Sequence, residues 1–123
     1  MKIRFAVTVL VFIALGCSFQ KPEYVKTIKP AELKEIMKKE DIFLVDVHTP
    51  EQPHIRGTDA FIPYDDIESN QSKLPADKNT PIYLYCEGGP MGNAAARKLH
   101  ELGYRNLINL EGGAHAWRAA GLE

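Results

Sequence analysis

Apolar residues along the chain fall into two rhythms. Short β-rich runs stand at Tyr24-Val25-Lys26, Ile42 to Val47, Ala60-Phe61-Ile62, Ile82 to Tyr85 and Leu107 to Leu110. Between them, 30–39 places Leu33, Ile36 and Met37 at helical spacing, with Pro30 near the first turn, where its missing N–H costs least. A second helical pattern over 92–102 puts Ala95, Leu99 and Leu102 on one face and stops at Gly103. A third runs from Ala114 to Ala120 and ends at Gly121. The runs Ile42 to Val47 and Ile82 to Tyr85 are almost continuously apolar, as parallel strands buried on both faces are. Strands alternating with helices predict one α/β domain, a parallel sheet covered by helices, with ligands bound beyond the strand C-termini.

The N-terminus breaks this rhythm. Lys2 and Arg4 precede an apolar run from Phe5 to Leu15, which closes on Gly16-Cys17. A basic start, a short apolar stretch and small residues at its end describe a secretory signal, whereas a spanning helix wants roughly 20 apolar residues. An uncleaved anchor flanked by Ser18 and Gln20 is the alternative. Ala14-Leu15-Gly16-Cys17 resembles a bacterial lipoprotein box, although Ala14 stands where a larger aliphatic residue is usual. That resemblance implies cleavage before Cys17 and a lipid on the Cys17 thiol. The expected organisation is a signal peptide over 1–16, a polar tether over 17–23 that contains Pro22, and a domain over 24–123. It places the protein on the periplasmic side of the envelope, held to a membrane.

Composition narrows the function classes. Of 123 residues, 45% are hydrophobic and 25% charged, which suits a packed globular domain. Fifteen Lys and Arg against sixteen Asp and Glu leave a net charge of −1 and no basic excess for a nucleic-acid face. Two cysteines, Cys17 and Cys86, are too few for a disulfide-stapled scaffold.

Candidate chemistry gathers where the strand Ile82 to Tyr85 runs into Cys86-Glu87-Gly88-Gly89-Pro90-Met91-Gly92 and then a helix. A loop this rich in Gly can turn successive N–H groups inward as an anion nest, backed by the positive end of the next helix. The thiolate of Cys86 is a natural occupant. The competing reading makes Cys86 a small buried hydrophobe at a strand end.

Four ordered motifs carry a family resemblance over roughly Val25 to Leu122. Asp46-Val47-His48-Thr49-Pro50-Glu51, His54-Ile55-Arg56-Gly57 with Ala60-Phe61-Ile62-Pro63, Cys86-Glu87-Gly88-Gly89, and Leu110-Glu111-Gly112-Gly113 with Trp117 resemble the successive motifs of single-domain rhodaneses. The resemblance implies a rhodanese-like α/β fold, a five-stranded, mainly parallel sheet flanked by helices. It implies ping-pong sulfur transfer without metal or cofactor. Cys86 is the implied nucleophile and persulfide carrier, and the loop from Glu87, Gly88, Gly89, Pro90 and Met91 to Gly92 is the implied substrate cradle. The implied partners are a small sulfur donor and a thiol or other thiophilic acceptor, protein acceptors included.

This chain departs from the family inside that loop. Met91 and Gly92 stand where many members carry Arg and then Ser or Thr, and Glu87 adds a negative charge beside the thiol. Both changes are expected to disfavour an anionic donor such as thiosulfate relative to a neutral or protein-bound persulfide. His48 replaces the usual Arg, and the chain is shortened around Gln52-Pro53, so Asp46 and His48 are expected at a reshaped rim, Asp46 chiefly as a hydrogen-bonding residue. His54 titrates near neutrality and joins them as a rim or structural residue. His100 reads as a surface residue, Trp117 as a core anchor, and His115 as a neighbour of the pocket. Cysteine phosphatases need Arg six residues after the Cys, where this chain has Gly92, so phosphate-ester chemistry lacks its main donor. A non-catalytic module that binds a sulfur species or a partner protein through the Cys86 pocket is the alternative to catalysis.

Overall fold

The computed structural model describes residues 21–123; the expected signal peptide, Cys17 and the start of the tether lie outside the described residues. The element order is β1 (Val25–Ile28), α1 (Pro30–Lys39), β2 (Phe43–Asp46), β3 (Ala60–Phe61), a 3₁₀ helix (Glu68–Lys73), β4 (Ile82–Tyr85), α2 (Pro90–Glu101), β5 (Leu107–Leu110) and α3 (Gly113–Ala119). The strands form one sheet in the order β1-β5-β4-β2-β3. Every pairing in it is parallel, so the expected mainly parallel sheet is wholly parallel.

Several element boundaries differ from the expected ones by a residue or two. β1 extends to Ile28 because Lys26 to Ile28 pair with Ile108 to Leu110. α2 starts at Pro90, two residues before the apolar periodicity begins, since Pro is well placed in a first turn. α3 starts at Gly113, one residue early. The 3₁₀ helix was not visible in the sequence: Glu68–Lys73 buries no residue, so it has no apolar rhythm to read.

Alternation along the strands sorts the core into two layers. Val45, Val47, Leu84, Cys86 and Leu107 face α2, where Ala95, Ala96 and Leu99 meet them. Leu44, Tyr85, Ile28 and Leu110 face the other way and pack with Leu33 of α1 and with Ala114 and Trp117 of α3. Trp117 is buried as expected of a core anchor. His100 is at the surface, where its ring stacks on Tyr24 at 3.8 Å. With both faces covered, the open end of the sheet at the C-termini of β2 and β4 becomes the place where loops converge. No helix among the described residues is long and apolar enough to cross a membrane.

Candidate active site

β4 delivers Cys86 to the end of the sheet, and strand alternation sends its side chain toward α2, opposite to Tyr85. Cys86 is 2% exposed and free of any disulfide. The loop that follows bends over it, so that Gly89 donates its N–H to Cys86 Sγ at 2.9 Å. The sulfur is thus held by a backbone donor as well as by packing.

The loop is held from both sides. Ala114 and His115, in the first turn of α3, donate their N–H groups to the carbonyls of Cys86 at 2.8 Å and Glu87 at 3.0 Å. These are the amides that a helix start leaves without internal partners. A trans peptide points its N–H opposite to its C=O, so these bonds turn the N–H groups of Glu87 and Gly88 away from α3. The close approach demands Gly113: at φ +60° it already favours glycine, and an added Cβ would strike the Cys86 carbonyl oxygen and lie 2.6 Å from the Glu87 carbonyl.

On the far side, Asn109 of β5 donates Nδ2 to the Gly89 carbonyl and to Asn93 Oδ1, both at 3.0 Å. Asn109 lies in register with Leu84, two residues before Cys86, and therefore faces α2 as the thiol does. Its side chain fills the space that any side chain at position 92 would need, since a Cβ on Gly92 would come within 2.6 Å of Asn109 Cγ. This explains the missing hydroxyl of the loop: the buried amide of Asn109 stands there and reaches the loop from the neighbouring strand. A lone Asn in the apolar run Leu107–Leu110 was its only trace in the sequence.

Not all of the expected cradle donates. Gly89 gives its N–H to the thiol sulfur, Gly92 gives its own to the Gly89 carbonyl at 3.1 Å, and Pro90 has none. Met91 packs against the apolar cluster that contains Cys86. Glu87 does not stand as an uncompensated charge, because Arg118 Nη2 meets both of its carboxylate oxygens at 2.7 Å. Arg118 carried no sequence signal beyond a position in the last turn of α3.

Asp46 takes the hydrogen-bonding role expected of it, on the face away from the thiol. In the β2–β4 register Asp46 lies beside Tyr85, so its side chain leaves the sheet on the face opposite Cys86. It is 2% exposed, accepts the His48 N–H at 3.0 Å and contacts His54 Nδ1 at 2.7 Å. Asp46 thus organises the turn beneath the site and does not face the thiol. His54 Nε2 meets Glu51 at 2.8 Å. Tyr85 fixes the rest of this segment: its hydroxyl accepts the Ile55 N–H at 3.0 Å and bonds Thr58 Oγ1 at 2.8 Å, and burial pushes its ionisation up. His48 is half-buried, with Nδ1 enclosed and unbonded. His115 touches the loop through its backbone, and its side chain is exposed.

A thiol on a glycine-rich strand-end loop of a parallel α/β sheet, held over by a backbone donor, defines a class of cysteine-centred proteins. The Rhodanese-like domain model matches residues 29–120, and the chain belongs to that family. It is 35% identical over 100 residues to the uncharacterized protein slr1261 of Synechocystis sp., covering 78% of this chain and only 54% of that protein. It is 30% identical over 100 residues to the thiosulfate sulfurtransferase GlpE of Pseudoalteromonas translucida, covering 77% of this chain and 90% of that one. Among solved structures, a rhodanese-like domain protein from Staphylococcus aureus superposes with a TM-score of 0.63 at 32% identity, over 75% of this chain and 90% of the other.

Two outcomes follow from this geometry. Gly92→Ala is expected to cost about 1–3 kcal/mol in urea unfolding, and much less in the background of Asn109→Ala, where the obstructing amide is gone. Burial opposes the charged form of His54, but its hydrogen bonds to Asp46 and Glu51 outweigh that and raise it above 6.5. A group raised on folding stabilises fully below its unfolded value and loses that contribution as pH climbs through the folded one. The stability advantage of the wild type over His54→Gln is therefore expected to be largest below pH 6.5 and to shrink as pH rises past it, measured by denaturant midpoints.

Proposed function

We propose that the protein is an exported sulfurtransferase that carries sulfane sulfur on Cys86. The observation that carries this reading is the Gly89 N–H directed at the Cys86 sulfur in a loop whose carbonyls are pinned elsewhere. A donor such as thiosulfate, a polysulfide or a protein persulfide is attacked at its outer sulfur by the Cys86 thiolate. The new S–S bond forms as the old one breaks, and the leaving group, sulfite in the case of thiosulfate, departs with the electron pair. A thiophilic acceptor, a small thiol or a protein thiol, then attacks the outer sulfur of the persulfide and regenerates the Cys86 thiolate. The backbone N–H of Gly89 steadies the sulfur anion at both stages, and the inward amides of Glu87 and Gly88 are assigned to the leaving oxyanion. Met91 and the other loop residues shape the apolar wall around the transferred atom. The naming of relatives as thiosulfate sulfurtransferase supports the reaction class.

The second reading, a binding or sensing module on the same pocket, is favoured by the deep burial of Cys86 and by Met91 in place of a loop cation. Persulfide formation decides between them. Incubation with thiosulfate and polysulfide is expected to add one sulfur atom to Cys86 by intact mass, removed by a small thiol, and to leave Cys86→Ser unmodified. Met91→Arg is expected to raise the rate with thiosulfate severalfold. A Cys86 that no donor modifies supports the binding module instead.

For localisation the proposal is a signal over 1–16, lipid on Cys17, a tether over 17–23 and the catalytic domain over 24–123, on the periplasmic side. The match to the family from residue 29 and the first strand at Val25 support that division. Lys21 lines a hollow of about 280 Å³ together with Gly88, Gly89 and Gly112, so the chain enters the domain beside the loop. Cys17→Ala is expected to abolish radiolabelled palmitate incorporation and to move the protein from the membrane fraction to the soluble one.

A further inference from the structure

A guanidinium stands beside the Cys86 loop although the loop itself supplies none. Arg118 lies one helical turn after Ala114 on α3, so the two share a face. Ala114 is the residue whose N–H holds the Cys86 carbonyl at 2.8 Å. From that position Arg118 Nη2 reaches both oxygens of Glu87, the residue next to the thiol, at 2.7 Å. The Glu87 carbonyl is also tied to α3, by the His115 N–H at 3.0 Å. Backbone and side chain of Glu87 are therefore anchored to the same short helix.

The pair is reachable from solvent, with the side chains of Arg118 and Glu87 40% and 35% exposed. Such a pair adds little to stability, because water and salt screen it. Its effect is local: it decides which charge an incoming molecule meets beside Cys86.

We infer that Arg118 is a donor-specificity residue and that Glu87 is its exchangeable internal anion. With the pair closed, the Glu87 charge is cancelled and the mouth of the site is nearly neutral. An anionic donor bearing sulfonate oxygens competes with the Glu87 carboxylate for the guanidinium and gains from α3 the cation that Met91 withholds from the loop. A neutral sulfane donor gains nothing from the exchange. No bond is made or broken in it; the sulfur transfer that follows is the one described above, and the donor part of the inference rests on that reading.

The test separates the electrostatics from the chemistry. In the full chain, the Cys86-containing peptide is scored for alkylation by iodoacetate, an anion, and by iodoacetamide, its neutral analogue. The ratio of the two rates cancels thiolate content and loop access and reads the local charge. Glu87→Gln frees the guanidinium and is expected to raise the ratio about threefold, the order of effect that one nearby charge has in a watery medium. Arg118→Gln bares the carboxylate and is expected to lower it by a similar factor, and the double variant is expected to return near the wild type. High salt is expected to compress all of these differences. The ratio of kcat/KM with thiosulfate to that with a neutral organic trisulfide is expected to follow the same order, through the KM for thiosulfate. Equal ratios in the four proteins, or equal changes with thiosulfate and trisulfide, overturn the inference. Ratios in the expected order with no sulfur added to Cys86 by any donor uphold the charge pair and overturn the sulfur-transfer reading.

Discussion

The site depends on one constraint: the first turn of α3 must close against the carbonyls of Cys86 and Glu87. Helix starts carry N–H groups that need acceptors, and here the loop provides them. The exchange serves both parts. The helix satisfies its amides, and the loop has its peptide planes turned so that the N–H groups of Glu87 and Gly88 point away from α3. Gly113 is the condition for this contact, since any side chain there would separate the two segments. Trp117 makes it durable by sinking the middle of α3 into the apolar layer beneath.

Asn109 fulfils the same task from the opposite side. Its amide grips the Gly89 carbonyl, and its bulk requires the glycine at position 92. The two substitutions that set this loop apart from the family pattern thus have different origins. Gly92 is compensated from β5, with a polar group restored by another strand. Met91 is absorbed into the apolar cluster, and the positive charge beside the loop comes from α3 through Arg118.

Much of the architecture was legible in the sequence because it is written in periodicity. Pro30–Lys39 was read to its ends, as were Ile82–Tyr85 and Leu107–Leu110, each an apolar run bounded by a breaker or a change of rhythm. Cys86 was legible because a strand, a glycine-rich loop and a helix occur in that order. Asn109 and Arg118 were not, since each acts on residues distant in sequence and its partner is chosen by sheet register or helix phase. The face that Asp46 occupies was hidden for the same reason: its place at the end of β2 marked it as a hydrogen-bonding residue, and only the register with Tyr85 puts its carboxylate away from the thiol. Glu87 was read by its charge alone, which tertiary pairing cancels.

The alternation that separates Tyr85 from Cys86 also divides the molecule electrically. His54, Glu51 and Asp46 lie on one side of the sheet end, while the thiol and its amide donor lie on the other, with the hydrogen-bonded strands and their apolar side chains between. The proton that His54 takes up is held between the carboxylates of Asp46 and Glu51, on the face away from the sulfur. Acidity thus acts on the folding of one flank, while the sulfur lies on the opposite face of the same sheet end.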